Sequence, residues 1–314
     1  MTHQAAALFA WLVLAWLQVA PLPAAAASVR FALVGDTPYS ARERAELPGM
    51  LDAMAHSGVD FIVHVGDFKS GRERCDDTLF ADRHALFDAS RVPFVFVPGD
   101  NEWTDCERVS NGSFDPRERL ATLRRLFWQE PFALGPKTLR LERQPGAYPE
   151  QSRFRMGPVL FVTLNLPGGN NNRGLSAEPR REFLDRNPVV LAWLRDSFSL
   201  ARRDKLPGIV LMFQANPGFR HYAQGAPHAG YRDFLDGLRD ETLAYAGQVL
   251  VVHGDTHISR IDHPLRDRQG KTIPSLTRVE VFGSPAMGWT RAVADDAAPG
   301  LFRFETQPWP PRQP

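Results

Sequence analysis

Residues 61–67 read Phe-Ile-Val-His-Val-Gly-Asp, a short β-type apolar run that stops at Gly-Asp. The same design recurs at Phe31–Asp36 (FALVGD), Phe94–Asp100 (FVFVPGD) and Val249–Asp255 (VLVVHGD). Each run has the length and β-branched or aromatic content of a buried parallel strand, and each Gly permits a sharp turn or a close approach to a ligand. Four carboxylates are thereby placed at strand ends, where the ligand crevice of an open α/β sheet lies. Anions gathered in one place repel each other unless a cation sits among them, so the pattern points to a metal site.

Outward from these strands the chain alternates. Leu47, Met50, Leu51 and Met54 form a helical stripe between the first two runs, which makes a βαβ unit. Asp76–Ala89 reads as a second helix, and Pro116–Trp128, with Pro in its first turn, as a third. Residues 141–158 suit a loop or hairpin, Val159–Leu166 a strand and 167–174 a turn-rich loop. Val189–Arg203 reads as a helix, 208–213 as a strand and Gly230–Ala246 as a helix. The short runs RVEVFG and LFRFE near the end suit a second sheet, and residues 307–314 read as a disordered tail.

The 314 residues, 43% of them hydrophobic, suffice for one large α/β domain, read as residues 28–306. A net charge of +1 gives no electrostatic footprint for nucleic acid. Lys is scarce beside Arg, which reads as genomic composition. Residues 1–27 hold an apolar stretch followed by an Ala-x-Ala site, the pattern of a signal peptide cleaved before Ser28. Export to the periplasm or the medium follows, the alternative being an uncleaved N-terminal anchor; no later run is long enough to span a membrane. In an oxidising compartment Cys75 and Cys106, the two cysteines, favour a disulfide that braces the loops after Asp67 and Asp100.

The order of these motifs resembles the calcineurin-like metallophosphoesterase superfamily. GDTPYS (35–40) lies at its Asp-x-His motif, VGD (65–67) at Gly-Asp, GDNE (99–102) at Gly-Asn-His-Asp/Glu, QANP (214–217) at the lone His, and GDTH (254–257) at Gly-His-x-His. The resemblance implies a four-layer αββα sandwich, two mixed β-sheets flanked by helices. It also implies that Asp36, Asp67 and His257 hold one metal, with Asp67 bridging to a second held by Asp100 and Asp255, helped by Asn216 or Gln214. The departures are large. Pro38 stands for a ligand His, Asp100 for Asn, Asn101 for the catalytic His, and Asp255 for another His.

Replacing imidazoles by carboxylates makes the site oxygen-rich, which favours hard ions: Mn²⁺ or Mg²⁺ first, then Ca²⁺, with Zn²⁺ or Fe last, as one ion or two. The expectation is hydrolysis of a small phosphate mono- or diester by a metal-bound hydroxide. Asn101 occupies the catalytic position but cannot titrate, so His253, and less so His64, are candidates for the lost acid. Glu102 is expected to orient a neighbour, and Tyr39 and Trp103 to wall the pocket. The competing expectation is a non-catalytic relative that binds a metal or phosphorylated ligand without turnover. A Rossmann nucleotide binder lacks its Gly-x-Gly-x-x-Gly after the first strand, and a serine hydrolase its Gly-x-Ser-x-Gly elbow.

Overall fold

A computed structural model describes residues 28–174 and 176–311. The proposed signal peptide, 1–27, and residues 312–314 of the proposed tail lie outside the described residues.

β1 (Ser28–Val34) leads through α1 (Ala41–His56) to β2 (Phe61–His64), and α2 (Asp77–Asp88) leads on to β3 (Phe94–Phe96). These three strands run parallel. Ser40 caps α1 by accepting from the Glu43 amide at 3.2 Å, and the Glu43 carboxylate in return accepts from the Tyr39 amide at 2.7 Å. That reciprocal cap fixes the entry to the helix and the direction of Tyr39. α3 (Pro116–Phe127) has Pro at its first turn and Asp115 as its cap.

A hairpin follows, β4 (Glu142–Arg143), β5 (Ser152–Met156) and β6 (Val159–Thr163), with Arg153 opposite Val162. Then come the single turn α4 (Gly168–Asn171), the long α5 (Ala177–Arg203), β7 (Gly208–Met212), the short α6 (Phe219–Ala223), α7 (Arg232–Leu243) and β8 (Gln248–His253). The chain ends in β9 (Arg260–Asp262), β10 (Leu276–Glu280), β11 (Gly288–Asp295) and β12 (Phe302–Pro308).

Two mixed sheets result, ordered β12-β11-β1-β2-β3 and β4-β5-β6-β7-β8-β10-β9. Alternation along the strands builds the layers. Ala32, Val34, Ile62 and Phe96 face α1, α2 and α3, while Phe31, Leu33, Phe61 and Val63 face the other sheet. In the second sheet Phe161, Val210, Leu250 and Val252 turn inward, and Leu160, Ile209, Leu211 and Val251 turn toward α5 and α7. Phe31, Phe61, Phe154 and Phe161 interlock between the sheets with ring centroids 5.0 to 5.5 Å apart. Truncating Phe161 to Ala there would cost about 3–5 kcal/mol. The architecture is the four-layer αββα sandwich.

Several boundaries differ from the sequence reading. The helix expected from Val189 starts at Ala177 and runs through Pro188, because the packed face of Phe183, Val190 and Leu194 outweighs one lost backbone bond. The two terminal runs were both assigned to a second sheet, yet they divide: β10 lies parallel to β8, and β12 reaches the first sheet through β11. The tail is ordered further than 306, since β12 continues to Pro308 and the Trp309 amide bonds the Met287 carbonyl at 2.9 Å.

Candidate active site

The ends of β1, β2 and β3 from one sheet and of β8 from the other converge. Asp36, Asp67 and Asp255 all take left-handed backbone, φ 49°, 58° and 80°, a conformation that Asp tolerates better than most residues. The neighbouring glycines are required by space. A Cβ on Gly99 would stand 2.1 Å from Asp67 Oδ1, and one on Gly254 2.0 Å from Asp36 Oδ2. The Gly-Asp pairs thus clear room for each other's carboxylates.

Backbone and side-chain donors hold these acids in place. The Asp255 amide donates to both Asp36 oxygens at 3.1 Å, and the Asn216 amide donates to Asp255 Oδ2 at 2.8 Å. Asp67 has three donors: Oδ1 accepts from the Asn101 amide at 3.1 Å, and Oδ2 from Gln214 Nε2 at 3.0 Å and the Tyr39 hydroxyl at 3.2 Å. Gln214 Oε1 in turn accepts from the Gly168 amide at 2.6 Å, which fixes the amide's orientation. His257 Nε2 lies 3.7 Å from Asp36 Oδ1, while Nδ1 is 2.7 Å from the Ser284 carbonyl. A carbonyl only accepts, so Nδ1 carries the proton and the Nε2 lone pair faces the acids.

Burial dominates the electrostatics. It raises the pKa of Asp36 and Asp67 well above the ordinary carboxylate range, with repulsion from neighbouring carboxylates adding to it. Burial likewise pushes Asp100, Glu102 and Asp255 up to about 7. Tyr39 is raised in the same way, by burial first and then by Asp67 and Asp36, so its hydroxyl keeps its proton. Carboxylates buried so close together favour the binding of a cation among them.

One cation is built in. Lys69 is fully buried and donates to the carbonyls of Asn101 at 2.7 Å and Ser70 at 2.9 Å; burial lowers its pKa, and Glu102 and Asp67 oppose that shift. In sequence the scarcity of Lys reads as composition, and the one signal for this role is a Lys two residues after Asp67 in an Arg-rich chain. Cys75 and Cys106 form a disulfide, Cα–Cα 5.8 Å, beside the same Asn101 carbonyl.

The remaining candidates divide. Glu102 Oε1 accepts from the amides of Gly99 at 2.6 Å and Asp67 at 3.1 Å, so it orients the two motif turns. Asn101 Nδ2 donates to the Tyr39 hydroxyl at 2.9 Å and thereby fixes that ring. Trp103 is buried in the core and Arg186 lies over its ring at 5.5 Å. His253 does not suit the direct role expected of it. Its ring is fully buried, stacks on Phe213 at 6.0 Å, bonds only the Gly254 carbonyl through Nδ1, and burial lowers its pKa to about 4. His64 is likewise a core residue, holding the Thr37 carbonyl at 2.9 Å. Asn216 Oδ1 accepts from the Gly218 amide at 3.1 Å, which fixes the side chain beside Asp255.

Among the described residues, no three His, Cys, Asp or Glu side chains form a ready-made cage for a metal ion. The donor chemistry nevertheless fits a hard divalent ion. Asp100 Oδ1 is buried without a hydrogen-bond partner, an orphan acceptor surrounded by other carboxylates.

By structure, this chain is similar to a dimetal phosphatase from Danio rerio, with a TM-score of 0.54 and 14% identity over 90% of this chain and 99% of that one. It is also similar to the purple acid phosphatase PPD1 of yellow lupin (Lupinus luteus) seeds, with a TM-score of 0.52 and 12% identity over 90% of this chain and 51% of that one. No curated protein matches by sequence. At these identities the likeness shows the fold. The sequence model for calcineurin-like phosphoesterase matches residues 29–259, from β1 to just past His257, and so takes in all the Gly-Asp strand ends. The chain belongs to the calcineurin-like phosphoesterase family.

Proposed function

We propose that this protein is an exported, metal-dependent phosphoesterase acting on small phosphate mono- or diesters. The observation that carries the reading is the gathering of Asp36, Asp67 and Asp100, all buried, with half-buried Asp255, where Asp100 Oδ1 has no hydrogen-bond partner. These four side chains would hold a divalent ion, Mn²⁺ or Mg²⁺ by donor type, with the Nε2 lone pair of His257 beside Asp36. A single ion suits the chain better than two, because Gln214, in the segment where the family has a ligand His, turns N–H rather than oxygen toward Asp67 and so supplies no donor atom to a second ion there.

The bound ion would supply charge to the phosphoryl oxygens and acidity to a water. The chain's own residues do the rest. In hydrolysis a bond forms between water oxygen and phosphorus, the ester P–O bond breaks, and the leaving oxygen takes up a proton. Tyr39 keeps its proton and donates a hydrogen bond to Asp67 Oδ2 while accepting one from Asn101; turned from Asp67 to a substrate oxygen, the same O–H would donate a hydrogen bond where the family's histidine is missing. The apolar leader with its Ala-x-Ala site and the Cys75–Cys106 disulfide support export.

The test is an assay of chromogenic phosphate mono- and diesters with Mn²⁺, Mg²⁺, Ca²⁺ and Zn²⁺ in turn, with Asp67→Ala as control. Turnover abolished by the substitution supports the enzyme. Metal uptake without turnover of any ester contradicts it and leaves a binding protein on the same scaffold.

A further inference from the structure

Past Asn216 and Thr256, on the far side of Asp255, opens a cavity of about 560 Å³. Its charge is opposite to that of the acid cluster. Arg220, Arg260, Arg266 and Arg278 line it against one carboxylate, Asp262. Two of these guanidinium groups are matched. Arg278 Nε lies 2.7 Å from Asp262 Oδ1, and Arg260 Nε lies 2.6 Å from the buried Glu280. Arg220 and Arg266 have no ion-pair partner among the described residues, and the rings of His221 and His228 stack beside them at 4.8 Å.

A guanidinium without an ion-pair partner is free to bind an anion that enters the cleft, and its planar fork matches phosphate or carboxylate oxygens. The volume lies within the roughly 300–1,000 Å³ of small-molecule clefts and is much larger than one phosphate needs. The connection to the acids is direct: the Asn216 amide bonds Asp255 Oδ2, and Thr256 follows Asp255 in the chain.

We infer that this cavity receives a second anionic group of the substrate, so that the preferred ester carries a further phosphate or carboxylate held by Arg220 and Arg266. This rests on the phosphoesterase reading for the scissile group, and not for the binding itself. The basic wall offsets the repulsion that an anionic substrate meets from the neighbouring acids. A leaving group without an anionic substituent makes no use of it.

Calorimetric titration with inorganic diphosphate, in chelator so that no cation contributes, tests the site apart from catalysis. Wild type and Asp67→Asn are expected to bind, with affinity falling as salt rises. The double variant Arg220→Ala/Arg266→Ala should bind roughly 10- to 100-fold more weakly per guanidinium removed. Both arginines lie at the exposed or half-exposed rim, so the fold should survive, and circular dichroism checks it. A second arm compares turnover of p-nitrophenyl phosphate with that of a phosphorylated carboxylic acid, where the double variant should raise KM for the latter alone. Absence of diphosphate binding to wild type, or equal binding by the double variant, overturns the inference. Absence of turnover on every ester defeats the enzyme reading and leaves the binding result to decide this one.

Discussion

The acid cluster and the basic cavity adjoin at Asp255, yet they are built by opposite means. The cluster is made by backbone: strand ends from both sheets, left-handed Asp residues, glycines that no side chain can replace, and main-chain N–H donors to Asp36, Asp67 and Asp255. The cavity is made by long side chains on the segments after β7 and β8, several of them exposed. A backbone-built site tolerates little change and suits the chemistry common to a family. A side-chain-built site can be re-specified by substitution and suits the choice of substrate.

The largest separation of the two should come from Asp67→Asn. Removing this charge is expected to lower turnover about 10³-fold or more, since the bound ion's contribution is several kcal/mol, while diphosphate binding in chelator stays unchanged; parallel kinetics and calorimetry read both. Opening the disulfide through Cys75→Ser/Cys106→Ser should destabilise the protein by roughly 3–4 kcal/mol for its 31-residue separation, measured by denaturant unfolding. The loops it joins border Asn101, so the acid cluster should suffer before the cavity does.

Tyr39→Phe sharpens the comparison inside the cluster. Loss of the one proton-bearing hydroxyl on Asp67 should reduce kcat by about 10²-fold, with little change in diphosphate binding. Gly254→Ala forces the Asp36 carboxylate aside at a cost of about 1–3 kcal/mol and should weaken cation uptake, read by thermal unfolding with and without Mn²⁺.

The smallest effect is a tilt with pH. Acids whose folded pKa is raised bind protons in the native state that the unfolded chain has released, so stability falls as pH rises from about 4 toward 7. Buried His64 and His253, lowered to about 4, act in the opposite direction over the same range. The difference between wild type and Asp100→Asn isolates the acid contribution. Metal-free wild type should lose stability relative to the variant between pH 5 and 7.5, and Mn²⁺ should remove that loss.

What the sequence made legible follows from how each part is built. Strands that end in Gly-Asp are local patterns, so the strands themselves, the helices α1 to α3 and the turns at Asp36, Asp67 and Asp255 were readable residue by residue, whereas the pairing of two sheets came from the family resemblance. β11 was not, because its run Gly-Trp-Thr-Arg-Ala-Val-Ala-Asp contains few β-branched residues and owes its strand form to pairing with β1 and β12. Pro188 masked half of α5, since packing of a distant face decided that helix. The roles of Gln214 and Asn216 also escaped, because which atom of an amide faces the acids depends on Gly168 and Gly218, each set by a different loop. The basic cavity left no motif at all: its arginines come from separate segments, in a chain where Arg is common.

Asp36, Asp67, Asp100 and Asp255 are proposed to share one divalent ion. Manganese bound per chain, measured by equilibrium dialysis and elemental analysis at neutral pH, tests it most directly in wild type and in folded Asp100→Asn. About one ion is expected in the wild type, and at least tenfold weaker binding in the variant. No ion bound by the wild type, or undiminished binding by Asp100→Asn, contradicts it.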